Sequence, residues 1–159
     1  MAQPSRKGAS TSVSRIIKAL RKSVYQAFLD PTSVAIWLAP DNMKTHIYSF
    51  DARKDGAFRI SLTYIDPQHS LPGKTSDDTD TFQGRFAELI PDTKIVEVVE
   101  FESPDPAFAG EMKMTVTLAE ATGGTNVTIL CENIPKGIRP EDNEQGCKES
   151  LQKLAKLLE

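Results

Sequence analysis

The segment that decides the fold is a strand pair followed by a helix, MKMTVTLAEATGGTNVTILC at 112–131 and PEDNEQGCKESLQKLAKLL at 140–158. In the first part, apolar and polar side chains alternate on both sides of Gly123-Gly124. Alternation with a period of two is typical of antiparallel strands that have one face covered. The paired glycines predict the turn between them. The apolar positions are Met112, Met114, Val116 and Leu118, then Val127, Ile129 and Cys131.

The second part has the spacing and the charge order of an amphipathic helix. Its apolar residues recur at i, i+4, i+7 and i+11, which places them in one stripe. They are Cys147, Leu151, Leu154 and Leu158. Pro140 can open the helix, acidic residues follow it, and Lys153 and Lys156 lie near the end, as the helix dipole favours. Nineteen residues make a rod about 28 Å long, which is enough to cross a sheet.

Upstream of this segment the sequence predicts one strand, two short helices and four further strands. The first strand is predicted at Ser12–Leu20 and the first helix at Ser23–Leu29. Asp30-Pro31 supplies an N-cap and a first-turn proline for a second helix, which carries Trp37 and must stop before Pro40. The four strands are predicted at Thr45–Asp51, Ala57–Tyr64, Thr81–Leu89 and Ile95–Phe101. The fold class is therefore α+β, with an antiparallel sheet of six to seven strands.

Length and composition limit the possible roles of the chain. Its 159 residues suit a single domain, predicted at 13–159 after a flexible tail at 1–12. The net charge is −3 and the sequence shows no cluster of basic residues, so we expect no nucleic-acid partner. The sequence has neither an apolar run of about 18 residues, which a membrane span needs, nor a signal-peptide core. We therefore expect a cytoplasmic protein without a membrane span.

The sequence contains none of the common catalytic or ligand-binding motifs. It lacks G-x-S-x-G, H-E-x-x-H, a P-loop and a dinucleotide fingerprint. The histidines His46 and His69 are far apart, and Cys131 and Cys147 fit no metal spacing. No catalytic residue, metal site or cofactor is predicted from motifs.

Several stretches together resemble a known family. They are Ala27–Pro31 followed by Trp37 and Pro40, then Asp51–Arg59, Gly84–Pro91, Gly123–Thr128 and Glu144–Gly146. Their order resembles the group named after the activator of the ninety-kilodalton heat-shock-protein ATPase, within the SRPBCC (START-like) superfamily, over Val13 to Leu158. The resemblance implies the helix-grip fold, in which a curved antiparallel sheet wraps around a long C-terminal helix and a cavity lies between them.

The sequence departs from the family pattern in two places. Members usually carry a large apolar residue, often tryptophan, after the glycine that is Gly146 here, whereas this chain has Cys147. We expect this change to leave more room beneath the helix. The eukaryotic activator also has a separate N-terminal domain that binds the chaperone, and the residues before Val13 are too few to form it. A chaperone partner is therefore the weaker expectation.

The resemblance implies a pocket of a few hundred cubic ångströms. Its predicted lining is Trp37, Phe58, Ile60, Tyr64, Phe86, Met112, Met114, Cys147 and Leu151. The alternative is that these residues are simply packed core. The Asp66–Asp80 loop is fifteen residues long, and it is either a lid over the cavity or an ordinary disordered loop.

Three functions are compatible with this reading. The first is binding of a lipid or another small apolar molecule. The second is a polyketide-cyclase-like or hydrolase-like enzyme, which needs polar groups inside the pocket. Candidates for these groups are Tyr48, Tyr64, Arg59 and Glu88. The third is a module that interacts with a chaperone or ATPase. The sequence specifies neither the ligand nor a choice between monomer and homodimer.

Overall fold

The computed structural model describes residues 8–66 and 79–159. Its strands are β1 (Ala9–Ile17), β2 (Met43–Phe50), β3 (Ala57–Tyr64), β4 (Thr79–Ile90), β5 (Lys94–Phe101), β6 (Met112–Ala121) and β7 (Gly124–Ile134). Its α-helices are α1 (Arg21–Leu29), α2 (Pro31–Trp37) and α3 (Pro140–Leu158), and a 3₁₀ turn occupies Pro106–Phe108. The predicted order of elements is confirmed.

The strands form one seven-stranded antiparallel sheet in the order β1-β7-β6-β5-β4-β3-β2. From β2 to β7 each strand pairs with the next along the chain, and β1 closes the far edge beside β7. The register shifts within β1, β2 and β4, and such bulges bend a strand. The sheet is therefore curved, and with the long α3 packed against it the predicted helix-grip fold is confirmed.

The first strand lies three residues earlier than its prediction at each end. It spans Ala9–Ile17, whereas the sequence pattern placed it at Ser12–Leu20. The chain turns after Ile17, where the Ala19 N–H donates to the Ile17 carbonyl at 2.8 Å. The hydroxyl of Thr125 on β7 holds this turn by donating to the Ala19 carbonyl at 2.7 Å. Pairing with β7 thus sets the limits of the strand, although Leu20 continues the apolar pattern.

The two short helices α1 and α2 hold Trp37 in place beneath α3. The Asp30 carboxylate accepts a hydrogen bond from the Thr32 N–H at 3.2 Å, which confirms the predicted N-cap of α2. The indole Nε1–H of Trp37 donates to the Ala27 carbonyl at 3.0 Å, and its ring lies 4.6 Å from that of Phe28. A buried indole with its donor satisfied is held in one orientation. Trp37 therefore has a fixed position beneath α3.

The long helix is attached to the end of α2 by two side chains. The Ser150 hydroxyl donates to the Leu38 carbonyl at 2.6 Å, and the Lys153 ammonium donates to the Ala39 carbonyl at 2.8 Å. Both bonds use carbonyls at the C-terminal end of α2, where orphan acceptors occur. No helix within the described part of the chain is long and apolar enough to cross a membrane.

Candidate functional site

A cavity of about 140 Å³ lies between the three helices and the inner face of the sheet. Helices α1 and α2 contribute Phe28, Val34 and Trp37, with Leu38 directly after them, and α3 contributes Cys147 and Ser150. Strands β2 to β7 contribute Phe50, Phe58, Ile60, Phe82, Glu97, Val99, Phe101, Met112, Met114, Val116 and Ile129. The wall is therefore almost entirely hydrocarbon and aromatic ring.

The cavity is smaller than the few hundred cubic ångströms expected from the sequence. Four phenylalanines on its wall fill much of the concave face: Phe50, Phe58, Phe82 and Phe101. Their rings pack in pairs, with centroids 6.2 Å apart for Phe50 and Phe58 and 6.0 Å apart for Phe82 and Phe101. An apolar cavity of about 150 Å³ accepts benzene or xenon. The space that remains here is of the size of a single aromatic ring.

The structure brings six of the nine predicted pocket residues to the cavity wall: Trp37, Phe58, Ile60, Met112, Met114 and Cys147. The other three lie elsewhere. Phe86 is fully buried and packs against Phe50 at 5.5 Å and Phe58 at 5.1 Å, but it is not among the residues that line the cavity. Leu151 is buried in the packed core under α3, and Tyr64 is half-buried at the end of β3.

The carboxyl group on the wall belongs to Glu97, a residue that the sequence reasoning missed. Glu97, Val99 and Phe101 alternate along β5, and all three reach the cavity. In the sheet, Glu97 pairs with Phe86 on β4 and with Met114 on β6. A glutamate within an apolar alternation was the available signal, because the period of two assigns it to the same inner face as Val99.

Glu97 has no hydrogen-bond or ion-pair partner among the described residues, and its side chain is enclosed by protein. It retains some accessible surface, which we assign to the cavity because Glu97 lies on the cavity wall. Burial alone raises the pKa of its carboxyl from 4.5 to about 7, because an apolar environment disfavours the charged form. Near neutral pH the group is thus divided between carboxylate and carboxylic acid.

Two thiols lie between β7 and α3, and the thiol of Cys131 interacts electrostatically with Glu97. The Sγ atoms of Cys131 and Cys147 are 3.9 Å apart, and Cys147 is the one on the cavity wall. Contact with Cys147, Thr11 and Asn143 lowers the pKa of Cys131. The Cys131 sulfur and burial then raise the pKa of Cys147, so that its thiol keeps its proton. A buried, protonated thiol is a weak nucleophile.

The polar groups named for the enzyme hypothesis do not line the cavity. The Arg59 guanidinium donates two hydrogen bonds to Glu102, at 2.7 and 2.9 Å, and lies over the exposed ring of Tyr48. Glu88 forms a surface ion pair with Lys94 at 3.2 Å. Alternation with the wall residues Phe58 and Ile60 places Arg59 on the outer face of β3. The bulge between Phe86 and Glu88 pairs Glu88 with Val96, which lies on the face opposite to that of Glu97. None of the four candidates, Arg59, Glu88, Tyr48 and Tyr64, is among the residues that line the cavity.

Within residues 8–66 and 79–159, no group of three or more His, Cys, Asp and Glu side chains is arranged to hold a metal ion. His46 is exposed and packs edge-on against Tyr48. His69 and most of the proposed lid, residues 67–78, lie outside the described residues, so the role of the Asp66–Asp80 loop stays a prediction.

Comparison with solved structures finds the same fold in several bacterial proteins. A crystallised protein from Chromobacterium violaceum is 32% identical, with 94% of this chain and 96% of that chain covered and a TM-score of 0.83. A Mycobacterium smegmatis protein is 14% identical over 94% and 90% of the two chains, with a TM-score of 0.73. The AHSA1-like protein from Aeromonas hydrophila is 18% identical over 93% and 90%, with a TM-score of 0.68. The latter two likenesses show the fold alone.

A sequence profile described as Activator of Hsp90 ATPase homolog 1-like protein matches residues 18–159, most of the chain. No curated protein sequence matches this chain. The matched segment starts at the end of β1 and contains all three helices and the cavity described above. The chain therefore belongs to the family of Activator of Hsp90 ATPase homolog 1-like proteins, within the START-like superfamily.

Proposed function

We propose that this protein binds one small apolar molecule in the cavity beneath α3. The observation that carries the proposal is a space of about 140 Å³ with an almost wholly apolar wall. Moving apolar surface out of water is favourable by about 25 cal/mol per Å², so a ring-sized hydrocarbon gains free energy by entering. The size of the space favours a single-ring molecule over a long acyl chain.

The composition of the wall supports binding more than turnover. Nucleophilic catalysis needs a nucleophile and a base within hydrogen-bond reach of each other. The wall carries the Glu97 carboxyl, but the Cys147 thiol has a raised pKa and the Ser150 hydroxyl donates to the Leu38 carbonyl. The cyclase-like or hydrolase-like reading therefore lacks an activated nucleophile among the described wall residues.

The single tryptophan of the chain offers a direct test. Trp37 is 3% exposed and lies on the cavity wall, so its emission reports on whatever enters the cavity. We expect toluene to change the Trp37 emission with a saturable, one-site dependence on concentration. A change that rises linearly without saturation, or no change at all, would count against the proposal.

A matched pair of variants on α3 separates cavity binding from surface binding. Family members usually carry a large apolar residue at the position of Cys147, and its absence here leaves the cavity open. Cys147→Phe places a ring inside this cavity, and we expect the variant to lose saturable toluene binding. Gln152→Phe adds the same ring at an exposed position of the same helix and should bind as the unchanged protein does. Equal binding by both variants would show that toluene binds elsewhere. Circular dichroism checks that both variants are folded.

We place this activity in the cytoplasm, where reducing conditions keep Cys131 and Cys147 as thiols. The family description names a chaperone ATPase activator, and a chaperone partner is the alternative function. The two roles make different predictions, because chaperone binding through the outer surface should survive Cys147→Phe whereas ligand binding should not.

A further inference from the structure

The Glu97 carboxyl is an unusual wall group for a cavity that receives only hydrocarbon. An ionised carboxylate in an apolar interior loses its hydration and destabilises the protein unless a partner compensates it. Glu97 has no such partner among the described residues. A costly polar group without a structural partner is typical of a functional site, where stability is exchanged for activity.

Among the described residues, no positively charged side chain faces Glu97 from the cavity wall. On β4 and β6 its register partners are Phe86 and Met114, which are apolar. On β7 the nearest titratable group is the Cys131 thiol, which interacts electrostatically with Glu97, and on α3 the wall residues are Cys147 and Ser150. No lysine, arginine or histidine is among the lining residues. The cation that would pair with the carboxylate must therefore come from outside this wall.

The remaining wall is suited to the apolar part of such a ligand. The rings of Phe28 and Trp37 lie on the helix side, and Phe58 lies on the sheet side. Aromatic faces accept a hydrocarbon ring and also attract a nearby cation. The cavity thus combines a space for one ring with a single acidic group.

We propose that the ligand of this cavity is a small apolar amine, whose ammonium group forms an ion pair with the Glu97 carboxylate. The inference rests on the proposed function and adds the chemical class of the ligand. A hydrogen-bonded ion pair is stronger than a neutral hydrogen bond, and it replaces the hydration that the carboxylate has lost. An amine should therefore bind more tightly than a hydrocarbon of the same size.

The test compares benzylamine with toluene, using Trp37 emission and calorimetry at pH 7.5. Benzylamine should bind the unchanged protein more tightly than toluene does. Glu97→Gln keeps the shape of the side chain and removes its charge, so it should weaken benzylamine binding at least about tenfold. Toluene binding should change less than about twofold in the same variant, because no charge is involved.

A pH series on the unchanged protein provides a second test that does not depend on a variant being folded. Burial raises the pKa of Glu97 to about 7, so the carboxylate forms as the pH rises from 6 to 8. Benzylamine remains an ammonium ion over this range, and its affinity should rise with pH. In Glu97→Gln the rise should disappear.

The outcomes distinguish this inference from the function on which it rests. If neither toluene nor benzylamine binds, the proposed function fails. If toluene saturates while benzylamine binds equally to the unchanged protein and to Glu97→Gln, the amine inference is overturned and the cavity function stands. If benzyl alcohol binds more tightly than benzylamine with the same dependence on Glu97, the ligand is a neutral hydrogen-bond donor, and the amine class is again overturned.

Discussion

Glu97 weakens the fold whenever its carboxyl is ionised, and this effect is measurable. Its pKa is about 7 in the folded protein and about 4.5 when unfolded, so between these values the folded state binds more protons. Stability therefore falls as the pH rises from about 4.5 to about 7, and this contribution is constant above that range. The shift corresponds to a loss of about 3 kcal/mol, an order-of-magnitude figure.

We expect Glu97→Gln to remove this pH dependence. The stability advantage of the variant, measured as its free energy of unfolding minus that of the unchanged protein, should grow between pH 5 and pH 8. The increase should be at most about 3 kcal/mol. Urea unfolding at the two pH values measures the difference. Glu88→Gln is the control, since Glu88 is a surface residue paired with Lys94, and it should change stability by less than about 1 kcal/mol at either pH. Similar pH profiles for the two variants would contradict the burial of Glu97.

For single residues, the sequence predicted which face of a strand or helix a side chain occupies better than it predicted whether that side chain borders the cavity. The periodicities of two and 3.6 placed Met112, Met114 and Cys147 on inner faces, and these residues reach the cavity. Phe86 and Leu151 are also buried, but they do not line the cavity. Periodicity identifies the buried face of an element and does not show which buried residues border a cavity. Glu97 was missed because the candidates for polar groups in the pocket came from β2, β3 and β4 and not from the apolar alternation of β5.

At the scale of the element, the strands with strong alternation were predicted best. β3 was predicted at its observed bounds, and α3 begins at the predicted Pro140. The early start of β1 was not predictable, because Ala9, Ser10 and Thr11 carry no apolar alternation. Their strand conformation comes from pairing with β7, where Ala9 lies opposite Ile134 and Thr11 opposite Cys131. Tertiary pairing overrides weak local preference here.

The packing of α3 predicts unequal effects for two leucines on that helix. Leu154 is fully buried, whereas Leu157 is 38% exposed. Leu154→Ala should lower the free energy of unfolding by about 2–5 kcal/mol, because a buried side chain is lost and a cavity remains. Leu157→Ala should lower it by less than about 1 kcal/mol. Denaturant unfolding of both variants checks the difference, and equal losses would mean that α3 does not pack on the sheet through this stripe.

At the scale of the whole molecule, the fold was predictable but the free volume was not. The order of strands and helices follows from periodicity, turns and the family resemblance. The size of the cavity is the small difference between the space under α3 and the volume of the side chains that enter it. The four phenylalanines that the sheet contributes to the wall occupy much of that space. Their packing depends on the curvature of the sheet, which no local sequence pattern predicts.

The proposed function requires that an apolar space remains open beneath α3 and accepts a small molecule. The most direct measurement is a crystal structure determined under xenon pressure, because xenon enters dry apolar cavities of this size. We predict one ordered xenon atom in contact with Trp37, Met114 and Cys147. A structure with side chains filling that space, or with xenon bound only at the surface, would contradict it.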